Sequence, residues 1–242
     1  MSSEFEHSAV TCAEMKKLEK SANDAGLSFY DMMENAGTCA AGIAIFTCPS
    51  IMSGGTAYVF AGNGNNAGDG FVLARVLKKK GVNVKVVLIS GEPKTEDAIA
   101  NYKLLKKMDI EVIVGVPENI QADLIVDAMY GTGFHGELRP EGAAAVRAIN
   151  NAQGAKVLAL DIPSGLPGDI ASLLPSSAAS SDDPGSSGST ASGASGAASG
   201  SSDDAADNKP KFGPCVNAST TVAFHAPKQI HHYEPAYEFL GQ

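Results

Sequence analysis

Residues 56–70 read TAYVFAGNGNNAGDG: an apolar run rich in aromatic and β-branched side chains, then four glycines interleaved with asparagine and aspartate. An apolar run of that length, stopped by glycine, reads as a buried strand. The segment GFVLARVLKKKG (70–81) then places Val72, Leu73, Val76 and Leu77 at helical spacing, and Gly81 suits a C-cap. A strand, a glycine-rich turn and a helix in that order form half of a βαβ unit.

The same alternation continues outward. Upstream, Met15, Leu18, Ala22 and then Met32, Met33, Ala36, Ala40 and Ile43 step by three and four, which predicts two helices between Thr11 and Ala44, with Gly26 ending the first and Ser28 or Asp31 opening the second. Downstream, strands are predicted at 84–90, at EVIVG, at 123–131, at 156–165 and at 219–228, with helices over 95–108 and 141–152. Continuously apolar strands alternating with helices imply parallel pairing with both sheet faces covered. The fold predicted is therefore a doubly wound, mostly parallel α/β/α sandwich, whose ligand site lies at the carboxyl ends of the strands.

Of the 242 residues, 176–208 are Ser-, Gly- and Ala-rich and cannot build a core. The chain is expected to be one domain over 1–242, interrupted by a flexible insertion at about 172–208. Five Asp in that stretch account for five of the nine net negative charges. The mildly acidic remainder has no basic cluster beyond Lys78, Lys79 and Lys80, which argues against nucleic acid or an anionic membrane as partner. No apolar run approaches a membrane span, and the polar, acidic N-terminus does not read as a secretory signal. Cys12, Cys39, Cys48 and Cys215 form no CxxC pair, as expected of reduced thiols in cytoplasm.

Three strand ends carry the chemistry. After the first strand, Gly62, Gly64 and Ala67 satisfy GxGxx[G/A], a turn able to present backbone N–H groups to a phosphate or simply to make a tight connection. Asn65, Asn66 and Asp69 could there bind a cation or ribose hydroxyls, or cap the helix. The strand at 123–131 runs through Asp127 into Gly131, Gly133 and Gly136, and the strand at 156–165 through Asp161 into Pro163, Ser164 and Gly165. A carboxylate at the end of an apolar strand is costly unless paired or bound to a cation. One such Asp reads equally as a structural cap. Two beside an Asn-rich turn make a hard-oxygen cation site and an acid/base residue plausible together.

The segments EMKKLEKSANDAGLSFYDMMENAG (14–37), NGNNAGDG (63–70), DAMYGTGFHGELRP (127–140), LALDIPSGLPGD (158–169) and TVAFHAPK (221–228) together resemble, in order, the NAD(P)H-hydrate epimerase family, also called the YjeF N-terminal domain. The resemblance spans about Thr11 to Lys228 apart from the low-complexity stretch. It implies a Rossmann-like fold, often dimeric, and an isomerase that interconverts the R and S epimers of hydrated NADH and NADPH (NADHX, NADPHX) for cofactor repair. It implies a potassium ion as cofactor and functional partnership with an NAD(P)H-hydrate dehydratase, expected on a separate chain. By position it assigns Asn65, Asn66, Ala67, Gly68, Asp69, Gly131, Thr132, Gly133, Phe134, His135, Gly136, Glu137 and Asp161 to substrate binding. Asn66, Asp127 and Ser164 become potassium ligands, and Asp161 the acid/base. Ala67 departs from the family's usual glycine. Asp161→Ala is expected to abolish turnover and leave the fold intact.

Lys228 is read as a site-positioning group or an exposed lysine, and His135, His225, His231 and His232 as solvated. Met15, Met32 and Met33 are read as core or dimer-interface packing. Two rival functions are weighed: a catalytically weak or inactive dimerisation or ligand-binding scaffold of the same fold, and a nicotinamide-dependent oxidoreductase. Retention of Asn66, Asp127, Asp161 and Ser164 counts against the first. The missing ribose-binding acid closing the second strand counts against the other.

Overall fold

The computed structural model describes residues 9–173 and 212–241. Most of the low-complexity insertion, and its expected flexibility, lie outside the described residues.

Six strands form one parallel sheet: β1 (Thr56–Ala61), β2 (Asn83–Leu88), β3 (Glu111–Val114), β4 (Leu124–Ala128), β5 (Lys156–Leu160) and β6 (Thr220–Val222), in the order β3-β2-β1-β4-β5-β6. The order reverses between β1 and β4, so the crevice of a doubly wound sheet opens where these strands end. Strand alternation divides the core. Val59 and Ala61 face a cluster with helices α2 (Phe29–Thr47) and α3 (Asn65–Lys79), whereas Tyr58 and Phe60 face one with α5 (Pro140–Asn151). The three-layer α/β/α sandwich expected from the sequence is the one observed.

Local chemistry sets the helix ends. α1 (Cys12–Asp24) opens on a capping box, with Thr11 Oγ1 accepting from Glu14 N–H and the Glu14 carboxylate accepting from Thr11 N–H. α2 opens on Ser28, whose hydroxyl oxygen accepts from Asp31 N–H, so both candidate residues take part and Ser28 is the cap. α4 (Glu96–Leu105) hands over to a tighter turn through Met108.

Three boundaries differ from the sequence reading in ways that matter for the site. α3 begins at Asn65, five residues before the predicted start. The glycines that suggested a loop serve close packing inside the helix: a Cβ on Gly68 would lie 2.4 Å from Met33 Sδ, and one on Gly70 2.6 Å from Ala128 Cβ. β4 and β5 stop at Ala128 and Leu160, earlier than predicted, so Asp161 is the first residue beyond β5. The last short helix, α6 (Tyr237–Leu240), packs with Ile162, Leu166 and Ile230 in a third apolar cluster behind that strand end.

Candidate active site

Asp161 leaves β5 in the left-handed region, at φ 66°, a conformation that aspartate tolerates better than most residues. Its Oδ1 accepts from Lys228 Nζ at 2.5 Å and its Oδ2 from Thr132 N–H at 3.2 Å. Lys228 is only 1% exposed and donates a second bond to Phe224 O at 2.8 Å. The structure decides between the two readings of Lys228 and corrects the reading of His231. Lys228 is the buried counter-ion of Asp161 and not an exposed lysine, because Phe224 O and Asp161 together satisfy its ammonium group. His231 is half-buried and not solvated: its Nδ1 accepts from Lys228 N–H at 2.9 Å, its Nε2 lies 2.8 Å from Asp161 O, and burial lowers its pKa.

Asp127 is fully buried at the end of β4. Its Oδ1 accepts from Ser164 Oγ–H at 2.6 Å and Met129 N–H at 3.2 Å, and its Oδ2 accepts from Ser164 N–H at 2.7 Å. Burial pushes its pKa up to about 6, against the hydrogen bonds from Ser164 and Met129, which pull the other way. Asn66, in the first turn of α3, donates from Nδ2 to Tyr130 O at 2.9 Å and Leu160 O at 3.2 Å. Its Oδ1 is buried and has no hydrogen-bond partner. Tyr130 N–H donates to Ser164 Oγ at 3.1 Å, which joins Asn66, Asp127 and Ser164 into one oxygen-rich network. An orphaned amide oxygen in such a network, with one carboxylate that burial makes reluctant to ionise, fits a hard cation bound by oxygen.

A cleft of about 420 Å³ opens beside these groups. Asn65, Asn66, Asp69, Gly131, Thr132, Gly133, Phe134 and Asp161 line it, whereas Ala67, Gly68, His135, Gly136 and Glu137 do not. Ala67 is wholly buried in the α2–α3 core cluster, so its methyl group fills the core and leaves the cleft unobstructed. Asp69 is in the second turn of α3 rather than at its cap. It keeps a face to the cleft, and its pKa lies well above the ordinary range, first through burial and then through the negative charges of Asp161 and Glu19.

Sequence reasoning missed the wall opposite. Glu19 on α1 and His225 after β6, 3.9 Å apart, face the cleft, as do Met32 and Met33 on α2. Their helical spacing announced burial, yet no local signal says that the buried face borders a ligand site. The burial of Glu19 raises its pKa.

Gly131 leaves no room for a side chain beside the acid/base candidate. A Cβ there would lie 2.9 Å from Asp161 Oδ2 and 3.5 Å from Asn66 Cβ. Gly131→Ala should therefore displace a carboxylate held from its other side by Lys228. A loss of about 10- to 100-fold in kcat is expected, with a Tm within a few degrees of wild type; wild-type kcat would show that the carboxylate has room to move.

Residues 30–230 match the family model described as YjeF-related protein N-terminus. The chain belongs to this family. Within it, the chain is 42% identical over 163 residues to the bifunctional NAD(P)H-hydrate repair enzyme Nnr of Archaeoglobus fulgidus, an alignment that takes in 67% of this chain and 33% of that protein. It is 38% identical to the NAD(P)H-hydrate epimerase of Nitrosopumilus maritimus over 65% of this chain and 74% of that one. The chain thus spans about a third of the bifunctional relatives it matches. Among solved structures, yeast ynu0 superposes with a TM-score of 0.67 at 22% identity, over 91% of this chain and 82% of that one, which shows a shared fold.

Proposed function

We propose that this protein interconverts the R and S epimers of hydrated NADH and NADPH, so that a dehydratase can repair both. The observation that carries this reading is the buried Asp161–Lys228 pair opening onto the cleft beside the Asn66–Asp127–Ser164 network. The names of the family relatives support it.

The chemistry follows from the substrate. The hydroxyl-bearing carbon adjoins the ring nitrogen, whose lone pair expels the hydroxyl group. In the reacting form Asp161 carries a proton and gives it to the departing oxygen, so water leaves and a planar iminium remains beside the Asp161 carboxylate. Water adds to the opposite face and returns its proton to Asp161, which ends unchanged. Lys228 balances the carboxylate charge between the two steps. Met32 and Met33 give the cleft an apolar wall that limits access of bulk water. Asn65, Asn66, Asp69, Gly131, Thr132, Gly133 and Phe134 bind substrate on this reading, with Ala67 and Gly68 contributing only first-turn N–H groups of α3, which have no acceptor within the helix.

A potassium ion would be held by Asn66 Oδ1, Asp127 and Ser164. As a large monovalent cation, it would order the loops more than polarise a bond. We further propose a homodimer, supported by the exposed Leu18, Leu27 and Phe29 of the α1–α2 corner, and a cytoplasmic setting. The four cysteines are free, and among the described residues no helix is long and apolar enough to cross a membrane.

The test is the rate at which a stereospecific dehydratase consumes the R epimer of hydrated NADH with and without the protein. A potassium-dependent acceleration far above the spontaneous rate is expected. Folded protein that binds the ligand without accelerating it would instead indicate a scaffold of the same fold. Replacing potassium by choline should also lower the Tm; unchanged Tm and turnover would remove the cation from the site.

A further inference from the structure

Asp161 and Lys228 are far apart in sequence, and the low-complexity stretch lies between them. Chain connectivity therefore does little to align them, and the alignment must come from bonds local to the site. Asp161 is tied to the C-terminal segment at both of its backbone polar groups: its N–H donates to Val222 O at 2.8 Å, and its C=O meets His231 Nε2 at 2.8 Å. The same imidazole takes the N–H of Lys228 on Nδ1 at 2.9 Å.

A nitrogen that accepts from an N–H carries no proton, so Nδ1 is bare and Nε2 bears the hydrogen donated to Asp161 O. One neutral ring in one tautomer thus spans the backbones of both members of the ion pair. It also anchors the carbonyl of a residue held at φ 66°. His231 does not line the catalytic cleft; its other side borders a second cavity of about 340 Å³ with Thr221 and Tyr237. It can act on the reaction only through Asp161 and Lys228.

We infer that His231 is a positioning residue for the epimerisation, a clamp that sets the Asp161 carboxylate against Lys228 and toward the cleft. This inference rests on the proposed acid/base role of Asp161.

Two substitutions divide the clamp. In His231→Asn the amide oxygen can take the place of Nδ1 and keep the bond from Lys228 N–H, but the side chain is too short to reach Asp161 O. In His231→Gln the amide N–H can take the place of Nε2 and keep the Asp161 bond. The asparagine variant should lose about 10- to 100-fold in kcat, with KM for hydrated NADH changed less than about 3-fold on the same ground, that the bond acts on the reacting carboxylate rather than on ligand contacts. The glutamine variant should recover most of that loss. Hydrogen exchange gives a readout that needs no turnover: the Asp161 amide, bonded to Val222 O, should exchange faster in the asparagine variant than in the glutamine variant.

Divergence of the two variants in kcat and in exchange supports the clamp. Equal losses in both, tracking a common fall in Tm, or wild-type kcat and exchange in the asparagine variant, overturn it. Should the wild-type protein fail to accelerate epimerisation at all, the functional reading falls by itself, and the exchange comparison still decides whether His231 fixes Asp161.

Discussion

Asp161→Asn should abolish epimerisation while leaving the protein folded. Removal of a general acid/base typically costs about 10²- to 10⁴-fold, and here one group serves both proton transfers, so a loss toward the upper end is expected in the dehydratase-coupled assay. Asparagine keeps an oxygen for Lys228 Nζ, with its amide NH2 in place of the acceptor for Thr132 N–H, and it tolerates the left-handed backbone at this position. Asp161→Ala should behave differently, and the burial of Lys228 revises the expectation from sequence that it leaves the fold intact. Alanine leaves the ammonium of Lys228, 1% exposed, with neither a counter-ion nor an acceptor at residue 161. Breaking a buried pair in this way costs about 3–5 kcal/mol, and a Cβ-bearing residue other than Asn or Asp at φ 66° adds about 1–2 kcal/mol. Thermal unfolding of both variants separates the two effects. An asparagine variant that turns over at the wild-type rate would take Asp161 out of the mechanism, and an alanine variant as stable as wild type would show that Lys228 finds another partner.

Gly62→Ala should be the most damaging single methyl group in the glycine motif. Its Cβ would lie 2.1 Å from Met129 O, a backbone atom that cannot rotate away, at the junction of β1 and β4. The Gly62 N–H also donates to Ala128 O, which ties the two strand ends together at the clash. Overpacking costs about 1–3 kcal/mol and occasionally more; against main chain at this distance about 3 kcal/mol is expected. For a chain of this size that corresponds to a Tm fall of roughly 6–12 °C. Gly64→Ala is the matched control. Gly64 is extended at φ −104°, and nothing lies within 4 Å of its added Cβ. Its Tm should change by no more than about 4 °C, the shift of about 1 kcal/mol. Equal Tm values for the two variants would refute the packing account of Gly62.

The contrast between these glycines shows what a motif written in letters leaves out. GxGxx[G/A] marked the correct turn, and its first glycine is required by the carbonyl of Met129. Ala67 closes the pattern from inside the core. Glycine is demanded wherever two backbones meet, and sequence does not distinguish that demand from a ligand's.

By itself the sequence determined the parallel α/β architecture, because hydrophobic periodicity records which face of each element is buried, and that is a local property. It also placed Asp127 and Asp161 at strand ends, since a carboxylate closing an apolar run stands out against the surrounding residues. Tertiary structure alone decided that Lys228 is the counter-ion of Asp161, that His231 joins their backbones, and that Glu19 and the methionines of α2 wall the cleft. The physical reason is the same in each case. Whether a charged or polar side chain can be buried depends on the partner that meets it across the fold, and Asp161 meets Lys228 only once β5 and the segment after β6 have come together.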